Sequence, residues 1–333
     1  MQSLQDAVDG AAEQSGFSGV VRVDRENRME LGAAYGLADR AHEIPNTLET
    51  VFGVASGTKT LTALTVMGLV ERGTLELGTT ARSLLGDELP LVADDVTIEH
   101  LLAHRSGIGD YLDEHDLDVH DYVMPVPVHQ LATTENYLTV LDGHQTAFVA
   151  GERFAYNNAG YVLLALLAER ATGVEFYDLV RTLVCEPAGM TDTAFLRSDE
   201  LPGRAALGYL SADGLRTNVL HLPVRGTGDG GIYSTAADIS TLWDAFLAGR
   251  IVPAARVADM LRPRSDWPEE SERYGLGFHL HATRDDAWLE GYDAGVSCVS
   301  WHQPQSALTV TVIANWTDGA WPIHRVLREH LGL

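Results

Sequence analysis

Ser56 and Lys59 are the residues whose types and spacing most directly suggest chemistry. Lys59 is the single lysine among 23 basic residues, and it follows Ser56 by three positions in the segment ASGTKT. A desolvated lysine ammonium can lose its proton and then accept one from a neighbouring hydroxyl, which an arginine guanidinium cannot do. Residues three apart on a helix share one face, within hydrogen-bond distance. The pair therefore predicts a serine nucleophile activated by lysine.

The segment that follows supplies the helix that this pair requires. From Thr58 onward, apolar residues recur at helical spacing, and ERG ends the pattern; they are Leu61, Leu64, Met67, Leu69 and Val70. A helix N-terminus favours negative charge, so it would stabilise an alkoxide on Ser56 and help to hold the lysine neutral. The sequence thus predicts that Ser56 and Lys59 lie at the start of a helix.

Strand patterns occur at both ends of the chain. Residues 17–26 and 28–36 are two short, closely joined runs that predict an antiparallel hairpin. Further strand patterns at meander spacing lie within 274–316, and a helix pattern follows at 321–331. Between the two ends, helical patterns with long polar connections dominate. The predicted fold class is α/β (α+β): an antiparallel sheet formed from both termini and flanked by helices, with a mostly helical insertion.

The predicted domain boundaries depend on these changes of pattern, because no internal repeat or low-complexity linker divides the chain. We expect residues 1–79 and 206–333 to form one α/β sheet domain and residues 80–205 to form a mostly helical domain. The active site is expected at the interface between them.

Composition excludes several classes of partner. The chain of 333 residues has 47 acidic and 23 basic residues, which gives a formal charge of -24. This charge repels nucleic acid and anionic membranes, and it fits either salt adaptation or the bias of a GC-rich genome. The N-terminus has no basic start with an apolar run, and no stretch approaches about 18 apolar residues. We therefore expect a cytoplasmic protein without nucleic-acid or membrane partners.

Metal and cofactor sites are not expected. Cys185 and Cys298 are the only cysteines, far apart and without metal-type spacing, so they are predicted to be core thiols. The stretch 110–122 mixes carboxylates with His115 and His120, which is compatible with a metal site. Its spacing matches no distinctive ligand pattern, and a solvated loop beside the cleft is the preferred interpretation.

Four segments, in order along the chain, resemble those of one family. VFGVASGTKTLTALTVMGLVERGTLEL resembles the segment around the nucleophile of the serine β-lactamase and penicillin-binding-protein superfamily. The segments LLAHRSGI (101–108), GERFAYNNAGYVLLALLAERATG (151–173) and GDGGIYSTAADISTLWDAFLAG (228–249) resemble those of its class C β-lactamase-like branch. That branch includes esterases, D-amino-acid peptidases and amidases. The resemblance extends from about residue 17 to residue 330, and it implies the β-lactamase/transpeptidase-like fold.

The resemblance implies a role for each matching residue. Ser56 would be the acylated nucleophile, Lys59 its proton acceptor, and Tyr156 the base that exchanges protons between nucleophile and leaving group. A tyrosine has an ordinary pKa near 10, so it needs a neighbouring ammonium to act as a base at neutral pH. Asn158 would bind the acyl-side amide or carbonyl of the substrate and orient Lys59; by itself it is also typical of a turn before a helix. The Ser56 backbone N–H would donate to the oxyanion.

One segment departs from the family pattern. On a strand lining the site, the superfamily has K-T-G or H-x-G, whereas the corresponding residues here are Leu289, Glu290 and Gly291. In the relatives the basic residue helps to bind a substrate carboxylate, so its absence predicts neutral rather than carboxylate-bearing substrates. The backbone N–H of Tyr292 would serve as the second oxyanion donor. In a regular strand Glu290 lies on the face opposite Leu289 and Gly291, which would allow its carboxylate to point away from the cleft.

The expected function is that of a serine hydrolase that cleaves a small-molecule ester or amide through an acyl-enzyme on Ser56, without a cofactor. A β-lactamase or D-Ala-D-Ala-type peptidase is the alternative activity. A catalytically silent, ligand-binding member of the fold is the alternative of another class, and the retention of Ser56, Lys59 and Tyr156 together disfavours it. Catalysis by His104 with Ser106 is a weaker hypothesis, because residues two apart do not face each other on a helix.

Overall fold

The computed structural model describes residues 3–112, 118–119 and 122–332. Its strands, in chain order, are β1 (Gly19–Arg25), β2 (Arg28–Tyr35), β3 (Leu37–Asp39), β4 (Ile44–Pro45), β5 (Phe52–Gly53), β6 (Tyr233–Ser234), β7 (Ser265–Trp267), β8 (Glu272–Tyr274), β9 (His279–His281), β10 (Ala287–Asp293), β11 (Val296–Gln303) and β12 (Leu308–Ala314).

The α-helices are α1 (Leu4–Ser15), α2 (Thr58–Glu71), α3 (Ala81–Leu85), α4 (Ile98–Leu102), α5 (Leu138–Leu141), α6 (Asn158–Thr172), α7 (Phe176–Val180), α8 (Glu186–Ala188), α9 (Ala236–Leu247), α10 (Ala254–Met260) and α11 (Ala320–Leu331). A π-helical segment, Arg181–Cys185, joins α7 to α8. Short 3-10 helices occur at Ala55–Gly57, Val128–Gln130, Thr134–Tyr137, Pro268–Glu270 and Pro304–Ser306.

An eight-stranded antiparallel sheet joins the two ends of the chain. Its strand order is β2-β1-β12-β11-β10-β9-β8-β7, so β1 pairs directly with β12, and Gly19 lies opposite Ala314. The predicted hairpin corresponds to β1 and β2, and the prediction of one antiparallel sheet from both termini is confirmed. The first part of the strand patterns predicted within 274–316 is not one strand but the end of β8, a turn and β9, because Gly277 has a φ of +83° that interrupts extended backbone.

Helices cover both faces of this sheet. In β1, Val21 and Val23 belong to the apolar cluster that includes α1 and α11, whereas Val20 belongs to the opposite cluster, which includes α2 and α9. Successive strand residues point to opposite faces, so the run is apolar because both faces are buried. Helix α1, which the sequence patterns did not predict, begins after a Ser3 cap and packs beside α11.

Helix α2 is buried on all sides. Every residue from Thr58 to Leu69 is buried, so its polar side chains require partners within the protein. The Thr60 hydroxyl donates to Gly277 O at 2.7 Å, and the Thr62 hydroxyl donates to Gly228 O at 2.6 Å. These bonds tie α2 to loops from late in the chain. The helix predicted from Thr58 onward is confirmed.

The named elements between residues 80 and 205 are all helical in the described part of the chain. The longest of them, α6, is capped by the Asn157 side chain, which accepts from the Gly160 N–H. Helix α6 packs against α2, so the first turn of each helix can contribute to one site. The division into domains at 79/80 and 205/206 stays a prediction.

Cys185 and Cys298 are buried free thiols, as predicted, and burial raises the pKa of the Cys185 thiol to about 12. Among residues 3–112, 118–119 and 122–332, no helix combines the length and apolarity needed to cross a bilayer. Within the same ranges, no group of three or more His, Cys, Asp and Glu side chains is placed to hold a metal ion. His115 and His120 lie outside the described residues.

Candidate active site

Ser56 lies in a strained turn between β5 and α2. The turn is the 3-10 helix Ala55–Gly57, in which Ala55 has a φ of +45°. This left-handed conformation costs a residue with a Cβ about 1–2 kcal/mol. The Thr58 hydroxyl donates to Ala55 O at 2.7 Å and accepts from the Ile232 N–H at 3.1 Å. These bonds hold the turn that presents Ser56 at the start of α2.

Lys59 lies one helical turn beyond Ser56 and is only 2% exposed. Its Nζ donates to Ser56 Oγ at 2.8 Å, Asn158 Oδ1 at 2.7 Å and Asp229 O at 2.8 Å. All three of these acceptors are uncharged, and each pairs with one of the three N–H donors of an ammonium group. The hydrogen bond that the sequence spacing predicts between Ser56 and Lys59 is present, and it provides a direct route for proton transfer.

Asn158 is buried at the first residue of α6. Its Oδ1 accepts from Lys59, and its Nδ2 donates to Leu112 O at 3.0 Å. The Asp110 carboxylate accepts the backbone N–H of Asn158 at 2.6 Å and that of Ala159 at 3.0 Å. The geometry therefore orients Asn158 toward Lys59. Its contact with a substrate stays a prediction.

Tyr156 lies two residues before α6, with its ring centroid 4.9 Å from Lys59 Nζ. The ring stacks on His104, with 4.4 Å between centroids and 29° between planes. The Trp267 ring lies 6.3 Å away at 21°. Tyr156 and Ser56 line the same cavity. The structure therefore brings together the three side chains that the sequence predicts to act in catalysis.

The glycine-rich segment 226–231 passes closely over α2 and α6. A Cβ at Gly228 would lie 2.0 Å from Tyr161 O, so the backbone can approach α6 only with glycine at this position. This approach places Asp229 O beside Lys59, and the Asp229 carboxylate accepts the Tyr111 hydroxyl at 2.5 Å. This segment is one of those that resemble the family, but no role for Asp229 follows from the sequence.

Strand β10 forms the opposite side of the cleft. A Cβ at Gly291 would lie 2.0 Å from Val54 O and 3.0 Å from Ser56 N, so glycine is required for this approach. Leu289, on the same face of the strand, is 1% exposed and packs against Gly57. Leu289 lines neither cavity that contains Ser56. Its predicted role in substrate binding is therefore wrong: burial makes it a core residue beneath the cleft.

Glu290 and Tyr292 occupy the other face of β10, as strand alternation requires. Glu290 lines a cavity with Ser56 and Tyr156, and Tyr292 lines both cavities at Ser56. Strand alternation alone left open whether Glu290 faces the cleft, and the structure places the residue in the cavity wall. Strand β9 pairs with β10 only at the first two residues of β10, so the strand is an open edge from residue 289 onward, and its outer face borders the cleft.

Two adjoining cavities, of about 440 and 110 Å³, contain Ser56 in their walls. None of the described residues that line them is Arg or Lys. Several carry a carboxylate: Asp110, Asp118, Asp229, Glu290 and Asp293. Among the described residues, the lining of the cleft around the nucleophile thus offers no Arg or Lys side chain to attract a substrate carboxylate.

Burial changes proton affinities beside the site. It raises the pKa of Asp110 to about 7, against the opposing effect of backbone N–H donors and of the Lys59 charge. Burial, followed by the charges of Lys59 and His279, lowers the pKa of His104 well below its usual 6.5. At neutral pH His104 is therefore uncharged, whereas the Asp110 carboxyl is close to its titration midpoint.

Several residues at the site carry no signal in the sequence. Asp110 contacts Asn158 across 48 positions, and Trp267 reaches Tyr156 from β7. His104 belongs to a segment that the resemblance treats as structural. Contacts between distant segments produce no local periodicity in the sequence. Only the resemblance of four ordered segments to one family predicted that these parts of the chain lie near one another.

A family model described as Beta-lactamase matches residues 4–329. The chain belongs to the Beta-lactamase family. Among solved structures, a penicillin-binding protein from Bacillus halodurans has 34% sequence identity and a TM-score of 0.91, over 97% of this chain and 99% of that one. Esterase EstB of Burkholderia gladioli is 30% identical over 319 residues, which cover 85% of this chain and 79% of the esterase.

Other relatives of the Beta-lactamase family are longer than this chain. A penicillin-binding protein of Bacillus subtilis (strain 168) is 26% identical over 308 residues, which cover 88% of this chain but 66% of that protein. The chain thus spans just under two thirds of that relative. The predicted family and the β-lactamase/transpeptidase-like fold are confirmed.

Proposed function

We propose that the protein cleaves an ester or amide through a covalent acyl-enzyme on Ser56. The observation that carries this proposal is the buried Lys59, whose Nζ lies 2.8 Å from Ser56 Oγ and 4.9 Å from the centroid of the Tyr156 ring. Burial and a helix N-terminus both favour the neutral form of an amine. Once Lys59 has lost its proton, it can accept the hydroxyl proton across the hydrogen bond that already joins the two side chains.

Acylation begins when Ser56 Oγ attacks the carbonyl carbon of the substrate. The hydroxyl proton passes to Lys59, and Tyr156 delivers a proton to the leaving group. The bond between the carbonyl carbon and the leaving group then breaks, and an alcohol or amine departs. The nearby Lys59 ammonium makes this exchange accessible to Tyr156, because a positive charge favours the ionised phenol.

Deacylation uses the same groups in the opposite direction. Water attacks the acyl carbon, gives up its proton through the Tyr156 and Lys59 pair, and forms the second tetrahedral intermediate. The bond to Ser56 Oγ breaks, the serine recovers its proton, and the carboxylic acid leaves. Each turnover therefore consumes one water and requires no cofactor.

Two backbone donors are proposed for the oxyanion of both intermediates: the N–H groups of Ser56 and Tyr292. The close approach at Gly291, where a Cβ would lie 3.0 Å from Ser56 N, supports this arrangement because it brings the β10 backbone against the nucleophile turn. Fixed backbone donors stabilise the charge that develops in the transition state without reorganisation. Their placement does not depend on the side chains at residues 289 and 290.

Neutral or cationic substrates are proposed in preference to substrates with a free carboxylate. Buried Leu289 stands where the resemblance expects a cation, and a charged hydrogen bond to a substrate carboxylate would be worth about 1.5–3 kcal/mol. The acidic residues Glu290, Asp229 and Asp293 are among those that line the cavities at Ser56. An anionic substrate therefore loses an attraction and meets charges of its own sign.

A β-lactamase or D-Ala-D-Ala-type peptidase is the second candidate. It is favoured by the 34% identity to the penicillin-binding protein from Bacillus halodurans, and the lining of the cleft argues against it because those substrates carry a carboxylate. A silent, ligand-binding member of the fold remains the alternative of another class. The cytoplasmic location stays a prediction.

A substrate panel compared between wild type and Ser56→Ala tests the proposal. We expect wild type to hydrolyse neutral p-nitrophenyl esters or D-amino-acid amides faster than nitrocefin, and Ser56→Ala to hydrolyse none of them. A folded Ser56→Ala variant with wild-type rates would contradict the nucleophile assignment. A folded wild-type protein inactive on the whole panel would favour the ligand-binding alternative.

A further inference from the structure

His104 is a buried histidine beside the active site to which the mechanism above gives no role. It is 1% exposed, and its Nε2 has no hydrogen-bond partner among the described residues. The Tyr161 and Tyr274 rings lie against it, with centroids 4.9 and 4.8 Å away. A buried polar side chain without full hydrogen bonding requires an explanation.

Three contacts join His104 to the segment that carries Tyr156. The Ala155 N–H donates to His104 O at 2.9 Å, and the Asn157 N–H donates to His104 Nδ1 at 3.0 Å. Between these two bonds, the imidazole stacks on the Tyr156 ring at 4.4 Å. One residue therefore holds both chain neighbours of Tyr156 by hydrogen bonds and one face of its ring by stacking.

We propose that His104 is a positioning residue that sets the orientation of the Tyr156 phenol beside Lys59, a role that depends on the proposed function of Tyr156. The ring contact fixes the plane of the phenol, and the two backbone bonds fix the position of its Cα. Displacing a catalytic group by about 1 Å can cost about 100-fold in rate. The contacts of His104 thus determine the position of the Tyr156 phenol, on which proton transfer depends.

The chemistry of histidine suits this position. Because Nδ1 accepts the Asn157 N–H, the single proton of the neutral ring lies on Nε2. Burial and the neighbouring charges of Lys59 and His279 lower the pKa of His104 and keep this acceptor form at neutral pH. His104 also has a φ of +53°, which His and Asn adopt more readily than most other residues with a side chain.

His104 does not act as a general base in this arrangement. The lone pair of its Nδ1 is occupied by the Asn157 N–H, and one face of its ring is covered by Tyr156. It is absent from the lining of both cavities that contain Ser56. The side chain therefore acts through Tyr156 and has no contact with the cleft.

His104→Asn is the informative variant, because Asn Oδ1 occupies nearly the place of His Nδ1 and tolerates the same backbone conformation. It keeps the acceptor for Asn157 and removes the stacked ring. We expect the rate of acylation, measured by labelling with a fluorophosphonate, to fall about 10-fold or more. We expect KM for a p-nitrophenyl ester to change less than about threefold. If His104→Asn does not fold, His104→Phe keeps a ring and removes the acceptor, and the same fall in acylation is expected.

A double-mutant cycle separates positioning from general stability. In a Tyr156→Phe background, where no phenol remains to be oriented, we expect His104→Asn to change the acylation rate less than about twofold. His302 provides the matched control: it is a buried histidine that stacks on Trp243 at 5.5 Å, away from the cleft. His302→Asn is expected to lower the melting temperature without changing the acylation rate of the folded enzyme.

The outcomes distinguish this inference from the function it depends on. If His104→Asn slows acylation by the same factor with and without the Tyr156 hydroxyl, or leaves it unchanged, the positioning role is wrong. If Tyr156→Phe alone retains full activity, the proposed role of Tyr156 fails, and the role of His104 fails with it. An inactive Tyr156→Phe enzyme beside a fully active His104→Asn enzyme overturns only the inference about His104.

Discussion

The two walls of the cleft are built by different means. The helical wall, formed by residues 104–112 and 155–159, holds its groups through a network of side-chain hydrogen bonds that reaches Lys59 by way of Asn158. The sheet wall, formed by residues 289–292 of β10, approaches the nucleophile turn mainly through its backbone at Gly291. Side-chain identity is therefore critical on the helical wall. On the sheet wall, the closeness of the main chain matters most.

This difference separates proton transfer from substrate choice. The side chains proposed to exchange protons with Ser56 are held by α2 and the helical wall, whereas the sheet wall is proposed to contribute the edge along which a substrate lies. Leu289 and Glu290 depart from the family pattern without disturbing the approach of Gly291 to Ser56. Substitutions on the sheet wall can therefore change which substrate charge is preferred, while the proposed proton-transfer groups remain in place.

The largest effect is expected from Lys59→Arg, which retains a positive charge and removes the ability to accept a proton. We expect turnover of a neutral ester to fall on the order of 1000-fold or more, as for loss of one member of a cooperating catalytic set. Steady-state kinetics with thermal unfolding of the same preparation measure activity and folding together. A folded variant that retains a tenth of wild-type turnover would show that the lysine acts only through its charge.

Gly291→Ala should push the backbone of the sheet wall away from the nucleophile turn. The added Cβ would lie 2.0 Å from Val54 O, which is backbone and cannot rotate away. We expect a loss on the order of 100-fold in kcat and a loss of about 1–3 kcal/mol in the free energy of unfolding. Gly78→Ala, where the added Cβ meets nothing within 4 Å, is the matched control. Equal behaviour of the two variants would mean that the close approach has no function.

The parts of this site that could be predicted from the sequence are local. The Ser56–Lys59 contact follows from a spacing of three on a helix, and the apolar periodicity of residues 61–70 indicates that helix. The sheet from both termini could be predicted because strand patterns occur only near the two ends. Tyr156 is 97 positions beyond Lys59 in the chain, and only the resemblance to a family brought it to the same site.

The parts that could not be predicted depend on tertiary contacts. Helix α1 is stabilised by burial against α11. The polar sequence of α1 itself does not predict this contact. The direction of Glu290 depends on where β9 stops pairing with β10. The side chains of Asp110 and His104 accept backbone N–H groups at the start of α6 and just before it, and a backbone donor leaves no mark on the type of residue that supplies it.

Glu290→Gln tests whether the sheet wall determines which substrates are preferred. For a matched pair of substrates, one with a free carboxylate and one with its methyl ester, we expect wild type to have the higher kcat/KM on the ester. Removing one charge from the cavity should narrow this preference by about 1 kcal/mol, or about fivefold. Glu13→Gln on exposed α1 is the control and should leave the ratio unchanged. A wild-type preference for the free acid would overturn the assignment.

The smallest effect is expected from Asp110→Asn, through the pH dependence of stability. Burial raises the pKa of this carboxyl to about 7 in the folded protein, from 3.8, so the folded state binds the proton more tightly than the unfolded state. Its contribution to stability therefore falls as pH rises from about 4 to about 7. Denaturant titrations measure the free energy of unfolding of wild type and of Asp110→Asn at each pH. The value for wild type should fall relative to that for the variant as pH rises over this range. An unchanged difference would contradict the raised pKa.

Ser56 is proposed as the nucleophile, and mapping of a fluorophosphonate adduct gives the sharpest test of that role. The wild-type protein is incubated with the reagent, digested, and its labelled peptide sequenced by mass spectrometry. We expect a single adduct on Ser56 and loss of ester hydrolysis in proportion to labelling. An adduct on another residue, or unimpaired hydrolysis by protein fully labelled at Ser56, would contradict it.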